Sequence, residues 1–229
     1  MSLPKLLLLH GALGASPQFD ELSKRLSNDF EIFILDFPGH GGSAIPDQPF
    51  SFSFFASHVI SFLDKHNISR IHVFGYSMGG YAALWAARHF PGRLDKIFTL
   101  ATKFEWNEDS ARREAAMLDA EKIEAKVPAF AKSLAQLHEP QDWKAVVKKT
   151  AEMILQLGKI HLNEYDFKSI VNHVMITVGD KDKMVSIEES RKVSVLLPKS
   201  TLYIFPDSYH PFEKMELNKL IPVIKLFLK

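Results

Sequence analysis

The chain has no cysteine, so it can build no disulfide framework, no thiolate nucleophile and no zinc–thiolate centre. It also has almost no charge imbalance: 28 Lys and Arg stand against 27 Asp and Glu, a formal net charge of +1. That leaves no electrostatic reason to expect nucleic acid or an anionic membrane as a partner, and points to a small molecule instead. Long apolar runs are lacking too. Leu6 to Leu9 is too short to span a membrane and meets His10-Gly11 too soon to read as a signal peptide; a cytoplasmic protein is expected. There is no internal repeat, low-complexity stretch or long linker. The ten histidines show no metal-ligand spacing with each other, so no metal site is expected.

What remains is ordinary globular material. With 229 residues, 46% hydrophobic and 24% charged, one compact domain with a modest insertion is expected, large enough to bury a core without staples. Short apolar runs at residues 5–9, 32–35, 71–74, 97–100, 174–178 and 202–205 read as strands buried on both faces. Helical patterns fill residues 17–27, 54–66, 80–90, 187–197 and 212–228. Such alternation implies an α/β fold: a mostly parallel sheet of about six strands, flanked by helices. The rhythm stops between residues 103 and 166, where charged amphipathic helices at 114–125, 128–137 and 141–157 are expected.

Gly75-Tyr76-Ser77-Met78-Gly79-Gly80 carries the most information, because it joins a strand-like run to a helix-like one. A serine at the tip of so sharp a turn has strained backbone angles, and its neighbours two before and two after must be small; Gly75 and Gly79 are. The turn also sets the Met78 amide at a helix N-terminus, aimed where an oxyanion would form beside the Ser77 hydroxyl. Three further segments follow the same logic of strand ends: Leu9-His10-Gly11-Ala12, Gly179-Asp180-Lys181-Asp182 and Phe205-Pro206-Asp207-Ser208-Tyr209-His210. The chain order of candidate groups is serine, acid, histidine.

In these four segments, together with Asp36-Phe37-Pro38-Gly39-His40-Gly41-Gly42-Ser43, the chain resembles the α/β-hydrolase superfamily over nearly its whole length. The resemblance implies a catalytic triad of Ser77, Asp182 and His210, with an oxyanion hole from the Ala12 and Met78 amides and no cofactor. Asp182 follows the pattern of an acid three residues after a glycine; Asp180 is its rival, with an obvious use in starting the turn. The domain division implied is a hydrolase core at 1–102 and 167–229 with a helical cap at 103–166. Phe104 and Trp106 are candidate substrate-binding residues, since they directly follow a strand's carboxyl end. Arg112 and Arg113 read as a solvated helix face, and His10 and His40 as turn residues that bond loop backbone. Tyr209 departs from the family pattern, which usually has glycine before the histidine, and implies a differently shaped loop.

The expected activity is that of a serine hydrolase cleaving a small carboxylic ester through an acyl-enzyme. Haloalkane chemistry is disfavoured, because relatives that perform it carry aspartate where Ser77 stands. Two rivals remain: a carbon–carbon lyase or hydrolase resembling the menaquinone-pathway elimination enzyme, whose kin carry arginine where this chain has Tyr81, and a non-enzymatic receptor that retains the triad. Oligomeric state is not legible.

Overall fold

The computed structural model describes residues 3–229 and holds a six-stranded sheet ordered β2-β1-β3-β4-β5-β6, parallel throughout. The strands are β1 (Lys5–Leu9), β2 (Glu31–Leu35), β3 (Ile71–Tyr76), β4 (Leu94–Leu100), β5 (Val174–Gly179) and β6 (Ser200–Phe205). The helices are α1 (Asp20–Leu26), α2 (Phe52–Lys65), α3 (Met78–His89), α4 (Glu108–Met117), α5 (Ala120–Lys126), α6 (Pro128–His138), α7 (Trp143–Leu157), α8 (Glu164–Ser169), α9 (Ile187–Leu196) and α10 (Leu217–Leu228).

Burial on both faces holds for the inner strands only. Leu6 to Leu9 are wholly inaccessible and β5 is buried from end to end, because helices cover both sides of them. The outer strands are wetter, as strands at a sheet edge are: β2 is exposed at Glu31 and only partly covered up to Leu35, and β6 alternates between half-buried and exposed positions, with Tyr203 exposed. One face packs α1 and α10 against Leu6, Leu8, Phe74 and Phe98; the other packs α2, α3 and α9 against Leu7, Leu9, Val73 and Ile176. Strand β1 has β2 on one side and β3 on the other, so the connections leaving it diverge and open a crevice beyond the carboxyl ends of β1 and β3.

Helices α4 to α7 fill the stretch after β4; side-chain caps start α4, α5 and α7, and Pro128 opens α6. Asn107 and Ser110 close a reciprocal cap that starts α4 earlier than the apolar pattern suggests. The expected single helix over 114–125 is two, because the Asp119 side chain accepts from the Lys122 amide and starts α5 afresh. The expected helix over 212–228 is likewise a short 3-10 turn, Phe212–Lys214, followed by α10. Ile123, Leu134, Val146, Val147, Met153 and Leu157 join the same buried cluster as α2 and α3, so this segment is seated on the sheet's helical layer. Helix α8 returns to that layer, against α3 and α9. Among the described residues no helix is long and apolar enough to cross a membrane.

Candidate active site

Ser77 sits between β3 and α3 with φ 49° and ψ −113°, a conformation that a residue with a side chain holds only when its surroundings insist. They do. Its amide donates to Leu100 O at 2.8 Å, and its carbonyl accepts from Gly80 N at 3.1 Å and the Thr102 hydroxyl at 3.1 Å. The elbow's glycines are required by contact: a Cβ on Gly75 would lie 2.5 Å from Gly80 Cα, and one on Gly79 would lie 2.2 Å from Leu9 O. The second of these clashes is with the neighbouring strand, so the elbow is pressed against the end of β1 as well as against itself.

That pressure brings the turn after β1 to the serine. A Cβ on Gly11 would stand 3.5 Å from Ser77 Cβ and 2.6 Å from the Tyr76 ring, and Gly14 N closes the turn onto Gly11 O at 3.0 Å. The amides of Ala12 and Met78 donate to no described residue. Two histidines brace the turn. His10 Nδ1 is 2.8 Å from Gly11 O, and since a carbonyl only accepts, that nitrogen carries the proton and Nε2 accepts from Phe37 N at 3.1 Å. His138, at the end of α6, donates from Nε2 to Leu13 O at 3.2 Å and accepts at Nδ1 from Gly41 N at 3.1 Å. Burial lowers the pKa of both, to about 4 for His10, which matches neutral rings that donate from one nitrogen and accept at the other.

His210 faces Ser77 from the loop after β6. Its Nε2 is 3.4 Å from Ser77 Oγ, a long contact of the kind that tightens when a carbonyl enters. Its Nδ1 is 2.8 Å from Asp182 Oδ2, and the Asp182 carboxylate, wholly buried, is held at Oδ1 by the amides of Met184 and Val185 at 2.8 and 2.9 Å. Asp180 has different work: its Oδ1 accepts from Ser208 N at 3.1 Å and so pins the histidine loop. The structure therefore brings Ser77, His210 and Asp182 into one line and leaves Asp180 outside it. Tyr209 remains at the surface between the ammonium groups of Lys181 and Lys214, each within 6 Å of its ring. Sequence reasoning misses Tyr76, whose hydroxyl donates to His210 O at 3.1 Å, and His138; a lone histidine on an apolar helix carries no signal of the carbonyl it will meet.

Ala12, Ser77, Met78 and His210 open onto a cavity of about 440 Å³ whose other walls are mostly aliphatic and aromatic, a size and character suited to a small molecule. Trp106 lines it. Phe104 does not: it is buried edge-to-face against Phe167, and acts as backing for the segment that carries Trp106. The cavity's one ammonium group, on Lys103, is engaged by Glu114 at 3.6 Å and by Met184 O at 3.3 Å. Tyr81 also faces the cavity, with its hydroxyl accepting from Leu162 N at 2.8 Å. Arg112 lies on the solvent face, paired with Glu108.

The family model described as the α/β hydrolase fold matches residues 4–121, more than half of the chain. The protein belongs to the α/β-hydrolase family. Among this hydrolase's relatives, the poly(3-hydroxyalkanoate) depolymerase of Ectopseudomonas oleovorans is 25% identical over 243 residues, covering 97% of this chain and 84% of that one. An uncharacterised protein of Mycobacterium tuberculosis is 25% identical over 263 residues, covering 98% and 75%. The solved structure of MenH from S. aureus superposes with a TM-score of 0.81 at 20% identity over 100% of this chain and 94% of its own, a likeness of fold.

Proposed function

We propose that this hydrolase cleaves a neutral carboxylic ester through an acyl-enzyme, with Ser77 as nucleophile, His210 as general base and Asp182 as the carboxylate that orients it. The observation that carries the reading is the run Ser77 Oγ, His210 Nε2, His210 Nδ1, Asp182 Oδ2, with contacts of 3.4 and 2.8 Å, at the wall of an apolar cavity. A serine hydroxyl attacks poorly at neutral pH unless a base takes its proton as the bond forms. His210 takes it, Asp182 stabilises the resulting imidazolium, and the Ala12 and Met78 amides receive the charge on the carbonyl oxygen. The imidazolium returns the proton to the departing alcohol. Water, deprotonated by the same ring, then attacks the acyl-serine; the acid leaves and Ser77 recovers its proton.

A neutral substrate is favoured because the cavity's lysine is engaged by a carboxylate and Tyr81 supplies no cation, so an anionic substrate of the elimination type would find no free positive partner. The depolymerase relative, named for a polyester, agrees with ester cleavage. Residues 103–166 act as a cap over the core formed by 1–102 and 167–229, with Trp106 as one wall of the substrate cavity and Phe104 supporting it. A fluorophosphonate probe should label the wild type and leave Ser77→Ala unlabelled, and short p-nitrophenyl esters should be turned over by the first protein alone. Labelling that survives the substitution would place the nucleophile elsewhere, and labelling without turnover of any ester would favour a receptor.

A further inference from the structure

Behind the active-site cavity lies a second one of about 540 Å³, between the start of α2 and the outer half of α7. Its floor is aromatic, with Trp85 and Phe54, and its mouth carries Ser57 together with Ile160, which is 65% exposed. Phe52, Met153 and Leu157 line both cavities, so a single layer of residues divides them. That layer lies close to the chemistry: the Phe52 ring is 4.7 Å from the ring of Tyr81, one turn of α3 beyond Ser77.

We infer that the second cavity is a distal acyl subsite, reached through a side-chain gate formed by Phe52, Met153 and Leu157, and that it takes the far methylenes of a long unbranched acyl chain. The inference rests on the esterase reading of Ser77. Opening the gate needs rotation of side chains alone, and Met153 is unbranched and adapts its shape at little cost. An acyl chain on Ser77 that outgrows the first cavity meets this wall, and its next favourable surface is the aromatic floor behind it. A branched or fused-ring acyl group could not pass, so the gate selects straight chains.

The test compares p-nitrophenyl butyrate with the laurate and palmitate esters. Each methylene moved from water into an apolar site is worth roughly fourfold in binding, so blocking several of them is easily read. Ser57→Trp fills the second cavity from an exposed position and should lower the laurate-to-butyrate ratio of kcat/KM about tenfold or more, chiefly through KM. Met153→Ala widens the gate and should raise that ratio. Should Ser57→Trp fail to fold, Ile160→Trp obstructs the same mouth. Ratios that stay within about twofold of wild type in folded variants would overturn the subsite, whereas failure of the wild type to cleave butyrate at all would overturn the esterase reading itself. A wild type that cleaves butyrate and rejects both long esters, with Met153→Ala rejecting them equally, would show the gate to be a fixed wall.

Discussion

Asp180 and Asp182 differ in what their oxygens touch, and that difference fixes their consequences. The Asp182 side chain is wholly buried, with two backbone amides on one oxygen and the His210 ring on the other. Asp182→Asn would present an amide to His210 Nδ1 and favour the wrong tautomer, so kcat should fall by about three to four orders of magnitude, as in analogous triads. Asp180→Asn keeps an acceptor for Ser208 N and should cost less than about tenfold, in line with one weakened neutral hydrogen bond. Ester hydrolysis by the two variants checks the ranking, and the reverse order would reassign the acid. Tyr76 acts through another residue. Burial pushes its phenol pKa upward, so it remains a neutral donor, and its hydroxyl holds the carbonyl of His210. Tyr76→Phe removes that hold at a cost of about 0.5–1.5 kcal/mol. Turnover should drop severalfold with KM nearly unchanged, because the misplaced imidazole matters most at the transition state.

At the scale of elements, the active-site turn is held from both sides: by the elbow pressed onto β1, and by α6 reaching back through His138. Gly79→Ala would drive a Cβ to 2.2 Å from Leu9 O, a backbone atom of a fully buried strand, and neither partner can retreat. The expected result is loss of the folded state, seen as little soluble protein or a collapsed unfolding midpoint in urea. His138→Ala leaves Leu13 O and Gly41 N without their partner and should destabilise the protein by about 2–4 kcal/mol, the cost of two deserted polar groups plus the cavity. His138→Gln, which can still donate and accept, should recover part of the loss. Much of this arrangement was legible in the sequence: Gly75 and Gly79 are small because the elbow demands it, and the six strands fall where apolar runs stand. What escaped is of two kinds. Leu94 to Lys96 belong to β4 although Asp95 and Lys96 break its apolar run; Asp95 pairs with Arg70 and Lys96 reaches Phe227 O, so solvated charges begin a strand whose middle is buried. Partners distant in sequence escaped too. Nothing in residues 128–138 announces that His138 will meet Leu13, and nothing in Phe104 separates it from Trp106, two positions on, which faces the cavity.

The whole molecule carries an unusual load of buried histidine on one side of the sheet. His10, His40 and His138 are inaccessible, with ring centroids 5.1 and 5.6 Å apart in succession, and His40 Nε2 has no partner among the described residues. Burial lowers the pKa of each: to about 4 for His10, well below the ordinary value of 6.5 for His40, where a charge on His10 would repel a second, and downward again for His138. Burial also lowers His58 and His72. The unfolded chain therefore takes up protons near pH 6.5 that the folded chain refuses until pH is well lower. The stability tied to these neutral rings is present in full above about pH 6.5 and is lost as pH falls from there toward 4, with each histidine contributing a slope of up to ~1.4 kcal/mol per pH unit. Carboxylates such as Asp29, whose pKa is lowered by Lys225 and Lys229, act in the same direction only below about pH 4, where unfolded carboxyls begin to protonate. The window from 6.5 to 4 is thus a histidine window. Urea unfolding at half-unit steps of pH should show stability falling steeply through it, and His40→Asn should flatten the slope by about one proton's worth whatever it does to stability at pH 7.5. A profile that is level from pH 7 to pH 5 would mean that these rings gain protons in the folded state without breaking it, and the braces on the Ala12 turn would then have to work with charged imidazoles.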